Sequence, residues 1–229
     1  MVKDERKIEA YVGEYASGKS EVAVNRALQL LEQGQRPVTL VDFDLVEPFY
    51  TLRPLKKELE EKGVRVLAWE TLETIGLGEA GNLLKPEVRW SLQREGDIVI
   101  DVGYGVAGAE KLRLLADPEG SILGSGKLKV YAVINIARPM TENAEAIVNY
   151  VQSLGSLVQG LINNSHWGDE TELEIIQKGA EVVTEAAGLL GLPVIWTTVA
   201  KKFSEQMGQE DSFGNPILYL ERYMKRAFW

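Results

Sequence analysis

The chain has 229 residues with a formal net charge of −9, 45% apolar and 26% charged residues, no cysteine and one histidine, His166. That composition is ordinary for a globular protein. It excludes disulfides, thiolate metal centres and cysteine nucleophiles, and within one chain it excludes multi-histidine metal sites. An acidic chain without Lys/Arg runs also argues against nucleic acid as a partner.

The charged start, MVKDERK, has no apolar stretch behind it to act as a signal, and no apolar run is long enough for a bilayer. A cytoplasmic protein without a membrane segment is expected. The length suits one domain over 1–229.

The first predicted strand is IEAYV, ending at Val12. It runs into GEYASGKS, residues 13–20, which is followed by EVAVNRALQLLEQGQ. Val24, Ala27, Leu28 and Leu31 have helical spacing, and Gly34 is a stop. PVTLVDFD is a strand ending in two acids, PLKKELEEKG a charged helix and VRVLAW a strand. TLETIGLGEAGNLLK reads as a long loop, and PEVRWSLQREG as a helix with proline at its first position. DIVIDVGYG, KVYAVINIA, LVQGLINN and PVIWTTV are further strands. MTENAEAIVNYVQSLG and DETELEIIQKGAEVVTEAAGLLG are the helices among them, the second with a break expected near Gly179. KKFSEQMG and PILYLERYMKRAF read as terminal helices, 200–229, docked on the core.

Strands alternating with helices predict an α/β fold: a mostly parallel sheet of about seven strands with helices on both faces. Ligands of such sheets bind at the carboxyl edge of the strands. The acids and asparagines of this chain gather at that edge.

Gly13, Gly18, Lys19 and Ser20 match G-x-x-x-x-G-K-[ST], with a strand before and a helix after, as a phosphate loop requires. Glycines permit the backbone path that turns several amides toward one polyphosphate, and the new helix adds its positive end. The loop Gly13, Glu14, Tyr15, Ala16, Ser17, Gly18, Lys19, Ser20 and the adjoining Glu21 are therefore the candidate nucleotide-binding residues. Lys19 reaches the β- and γ-phosphates, and the Ser20 hydroxyl ligates Mg²⁺.

Magnesium also needs carboxylates to position its waters. Asp101 ends a hydrophobic strand, where a Walker B aspartate belongs. Asp42 and Asp44 lie two apart on a strand and face the same way. One would hold a magnesium-bound water and the other would orient the attacking water. Beyond them, Glu47, Tyr50 and Arg53, and Tyr104 after Asp101, mark candidate substrate or switch segments.

GEYASGKSEVAVNRALQLLEQGQRPVTLVDFD, the Walker B strand and the GLPV before the last predicted strand resemble the CobQ/CobB/MinD/ParA group of SIMIBI-class P-loop NTPases. The resemblance covers roughly residues 7–200. It implies ATP with Mg²⁺ and hydrolysis or transfer of the γ-phosphate. It implies that Asp44 positions the nucleophile, that Asp42 and Asp101 serve the magnesium shell, and that Asn163 or Asn164 reads the base. No N-K-x-D guanine-reading motif is present.

The chain departs from the group at Glu14, where the group's loop carries a signature lysine, and at Tyr15 and Ala16, where it carries glycines. The resemblance implies a nucleotide-dependent switch or assembly factor with a protein partner, and leaves a homodimer open. The departure points instead to a small-molecule kinase or ATP-dependent ligase with a small acceptor. A non-catalytic nucleotide-binding module is the third reading.

Overall fold

A computed structural model describes residues 5–44, 52–68, 84–103, 105–123 and 125–224. The expected loop of 71–85 falls almost wholly outside them, as do Glu47, Tyr50 and Tyr104. The chain divides into two compact units, Met1–Tyr11 with Ala23–Lys129 and Val12–Val22 with Val130–Trp229.

In the first unit the strands run in the order β3 (Arg65–Leu67), β2 (Val38–Phe43), β4 (Asp97–Val102), β1 (Ile8–Val12). All these pairings are parallel. β1, β2 and β4 are buried along their whole length. That explains why they read as continuous apolar runs and not as alternating ones. The one charge inside β1, Glu9, is neutralised by Arg26 of α1 (Lys19–Glu32), whose Nε and Nη2 each donate to the carboxylate at 2.8 Å. The helices α2 (Lys56–Glu61), α3 (Pro86–Arg89) and α4 (Gly105–Lys111) are short. The helix expected over PEVRWSLQREG stops at Arg89 and continues only as a 3-10 turn, Ser91–Gln93.

In the second unit the order is β5 (Leu128–Ile134), β6 (Val158–Asn163), β7 (Val194–Ala200), β8 (Ile217–Leu220), again all parallel. Helix α5 (Ala144–Ser153) starts at Asn143, whose side chain accepts the Ala146 amide. Helix α6 (Leu173–Leu190) is continuous through Gly179, where a break was expected, and ends on Gly191 in the left-handed region. Gly179 is there for contact: a Cβ would overlap Ser165 Oγ and stand 2.5 Å from Asn163 Oδ1.

The C-terminal expectation is corrected. Ile217–Leu220 is an eighth strand, not a helix, and pairs with β7 from Thr197↔Ile217 to Ala200↔Leu220. Only Lys201–Phe203 of the preceding segment is helical, as one 3-10 turn. A four-residue apolar run fits both periodicities, and here the unpaired edge of β7 decides. Ile217 and Tyr219 pack beside Ile175, Ile176 and Val199.

Candidate functional site

The second unit contains the glycine-rich loop. Gly13 follows β1, and α1 opens at Lys19. Both motif glycines are sterically required. A Cβ on Gly13 would lie 2.5 Å from the Val133 carbonyl oxygen. Gly18 has φ +84°, and a Cβ there would overlap Asn164 Nδ2. Ala16 sits at φ 57°, the left-handed region, at a position where the resembled group has glycine.

The outward-facing groups of the loop are tied down. Ser17 O accepts from Asn164 Nδ2 at 2.7 Å. Ala16 O accepts from Arg138 Nε at 3.1 Å. Glu14 O accepts from Lys19 Nζ at 2.9 Å, so the ammonium lies back across its own loop. When a peptide's carbonyl is held on one side, its neighbouring amides are presented to the other. The first amides of α1 have no partner within the helix. The Ser17 amide is spent within the loop on Glu14 O, and the amides that open α1 suit a bound anion. Among the described residues the buried Ser17 hydroxyl has no hydrogen-bond partner, an orphan that a phosphate oxygen would satisfy.

Glu14, in place of the signature lysine, turns back into its own chain. Its carboxylate lies 3.4 Å from the Met140 amide and 3.3 Å from the Thr141 hydroxyl.

A cavity of about 100 Å³ adjoins Gly18, and Asn164, Ser165, His166, Thr198 and Ala200 line it. Glu21, Glu221, Arg222 and Met224 also line it. The asparagine pair divides its duties. Asn163 is fully buried and spends its amide on Ile176 O at 3.1 Å and on Ser165. Asn164 lines the cavity, linking Ser17 to the Thr198 hydroxyl, which donates to its Oδ1.

His166 received no role in the sequence reading, yet it lines the same cavity. Burial, then the charges of Arg138 and Arg222, lower its pKa to about 4. It is therefore neutral at physiological pH, with Nδ1 accepting the Gly168 amide at 3.0 Å. Its closeness to Asn164 in NNSH was the available signal, but a lone histidine beside a turn carries little weight.

The first unit contains the acids. Asp42 of β2 and Asp101 of β4 are register partners, both buried. Burial, then the charge of Asp101, raises the Asp42 pKa to about 7, against the opposing charge of Arg53. Arg53 Nε stands 3.4 Å from Asp42 Oδ2, with both side chains almost fully buried. Asp42 Oδ1 accepts the Asp44 amide at 3.1 Å. The Asp44 carboxylate lies against Gly103, leaving no room for a Cβ there.

Asp42 and Asp101 are adjacent buried carboxylates, and the Arg53 guanidinium faces Asp42. Among the described residues no three acid or imidazole groups form a self-contained metal site. Magnesium held in part by phosphate and water has no need of one. Asp42 and Asp101 are therefore chemically suited to such an ion's outer ligands.

No family model matches the sequence, and no curated protein matches it. Solved structures do. FtsY, a cell division protein of Thermotoga maritima, matches with a TM-score of 0.55 at 18% identity, over 84% of this chain and 61% of that one. The signal recognition particle receptor FtsY of Elizabethkingia anophelis, in complex with GDP, matches with a TM-score of 0.53 at 17% identity, over 83% and 56%. FtsY of Mycoplasma mycoides gives 0.52 at 16% identity, over 83% and 59%.

The chain shares the fold of these structures. It is the three-layer α/β architecture, with parallel strands and helices on both faces. The chain spans about three fifths of the length of the structures it matches. Among the described residues no helix is long and apolar enough to cross a membrane.

Proposed function

We propose that this chain is a Mg-ATP-dependent P-loop ATPase of MinD/ParA type, working as a nucleotide-dependent switch or assembly factor. One observation carries the reading: the loop Gly13–Ser20 has its carbonyls pinned by Lys19, Arg138 and Asn164, leaving a cradle beside a base-sized cavity. The reading takes 1–229 as one nucleotide-binding domain in the cytoplasm.

In this reading Lys19 neutralises the terminal phosphates. Ser20, Asp42 and Asp101 serve Mg²⁺, which when bound offsets charge on the phosphate oxygens. Asp44 orients a water whose oxygen bonds the γ-phosphorus as the β–γ bridging P–O bond breaks, giving ADP and inorganic phosphate. Arg53, beside Asp42, belongs to the segment that responds to the terminal phosphate.

Adenine is favoured over guanine by the cavity's acids. Guanine recognition uses a carboxylate that accepts from the base edge. Here Glu21 accepts two main-chain amides and Glu221 is ion-paired with Lys201. His166, neutral, takes the place of a charged reader.

Transfer to a small acceptor, as in a kinase or ligase, is a second reading of the same site. Glu14 favours it, because it stands where the resembled group has its signature lysine and its carboxylate is engaged by Met140 and Thr141 of its own chain.

The test is product analysis. Purified protein incubated with Mg-ATP should release inorganic phosphate slowly without any acceptor, and GTP should compete poorly. A phosphorylated or ligated metabolite formed faster than free phosphate would select the second reading. Tighter binding of GTP than ATP would overturn the adenine assignment.

A further inference from the structure

Part of the cavity lining is a C-terminal segment held by a residue of the phosphate-loop helix. Glu21 is the third residue of α1. Its Oε1 accepts the Tyr223 amide at 2.5 Å and its Oε2 the Met224 amide at 3.0 Å. Two ion pairs secure the same stretch from the other side, Glu221 with Lys201 and Arg222 with Asp169. Glu221, Arg222 and Met224 line the cavity, as do Asn164 and His166.

This arrangement is more than a strand end. β8 stops at Leu220, and the next four residues have no ladder to hold them. A carboxylate accepting two successive main-chain amides is a strong local anchor. It is a costly one to build, because the Glu21 pKa is raised by burial above all, with the two amides and Arg222 opposing.

We propose that Glu21 is a positioning residue that docks segment 221–224 as part of the lining of the base cavity, so that base binding and C-terminal docking reinforce each other. The inference rests on the nucleotide reading above and adds a specific role to Glu21, which otherwise merely follows the phosphate-loop serine. By linkage, whatever docks the segment tightens the base, and a bound base tightens the segment to the same degree. The triphosphate tail is held elsewhere, by the loop, and does not share this dependence.

The experiment is a pair of titrations on the full chain, with Mg-ATP and with magnesium tripolyphosphate, which has the tail and no base. Glu21→Gln keeps one acceptor oxygen and places an amide donor against a main-chain donor. We expect ATP affinity to fall on the order of tenfold, within the range usual for coupled sites, while tripolyphosphate affinity stays unchanged. A chain ending at Leu220 should show the same selective loss, and adding Glu21→Gln to it should cost nothing more.

Equal ATP affinity in wild type and Glu21→Gln overturns the proposal, and so does tighter ATP binding, which would make the segment an occluding flap. Parallel loss of ATP and tripolyphosphate would mean that Glu21 shapes the loop and not the cavity lining, and also overturns it. Wild type that binds neither ligand refutes the nucleotide reading itself, so the two failures are distinguishable.

Discussion

Asn164→Asp exchanges one atom of a buried bridge and leaves the size of the side chain unchanged. In the native chain Asn164 Nδ2 donates to Ser17 O at 2.7 Å, and Oδ1 accepts from the Thr198 hydroxyl. The carboxylate keeps the second contact and inverts the first, setting an anionic oxygen against a carbonyl. The lost hydrogen bond is worth about 1 kcal/mol, and the new buried carboxylate oxygen, left without a donor, adds about 1–3 kcal/mol. A total of about 2–4 kcal/mol is expected in urea denaturation at neutral pH. Mg-ATP binding should weaken at least about tenfold, since each 1.4 kcal/mol of loop disorder is a factor of ten.

The variant also carries its own control. Only the protonated acid can donate to Ser17 O, so folding raises the pKa of the new carboxyl above its ordinary value. Its stability deficit should then shrink as pH falls through that raised pKa toward about 4. A deficit below about 0.5 kcal/mol, the usual size of a neutral surface change, or one independent of pH, would refute the claim that Asn164 holds the loop.

Gly18→Ala places a methyl onto Asn164 Nδ2 at φ +84°, and nucleotide binding should be lost while circular dichroism stays native. Asp42 has a native pKa of about 7 against an ordinary 3.8, so the native state holds a proton that the unfolded chain has released. Stability from this group therefore falls as pH rises from about 4 to about 7, and is flat above. Asp42→Asn removes that penalty. Its melting temperature should exceed that of wild type at pH 8 and depend less on pH, while Mg²⁺-dependent nucleotide binding declines. Gly179→Ala should destabilise by more than about 2 kcal/mol despite alanine's better helix propensity, because the methyl meets Ser165 and Asn163.

Much of the molecule could be read from the sequence, for physical reasons that differ by region. β1, β2 and β4 are buried on both faces, so their apolar runs and terminal acids stood out. The glycines at 13 and 18 announce themselves because no other residue fits against Val133 and Asn164. β8 was misread because ILYL satisfies both helical and extended spacing and its state depends on β7. The asparagine pair was found but not apportioned: which of two adjacent amides faces a cavity is set by packing against Gly179 and Thr198, the latter 34 residues further along the chain. His166 and the Glu21 anchor were invisible for the same reason, since the amides of Tyr223 and Met224 lie some two hundred residues beyond Glu21. Arg53 was singled out by its nearness to the acids, but its pairing with Asp42 needed three dimensions.

The central claim is that the loop closed by Lys19 and Ser20 binds a triphosphate. Calorimetric titration of wild type and Lys19→Ala with Mg-ATP tests it most directly. Loss of a charge-assisted contact of about 3 kcal/mol predicts affinity roughly a hundredfold lower in the variant, while apo stability falls by no more than about 1 kcal/mol, the worth of the Lys19–Glu14 hydrogen bond. Equal affinity in the two proteins, or no binding by wild type, would contradict it.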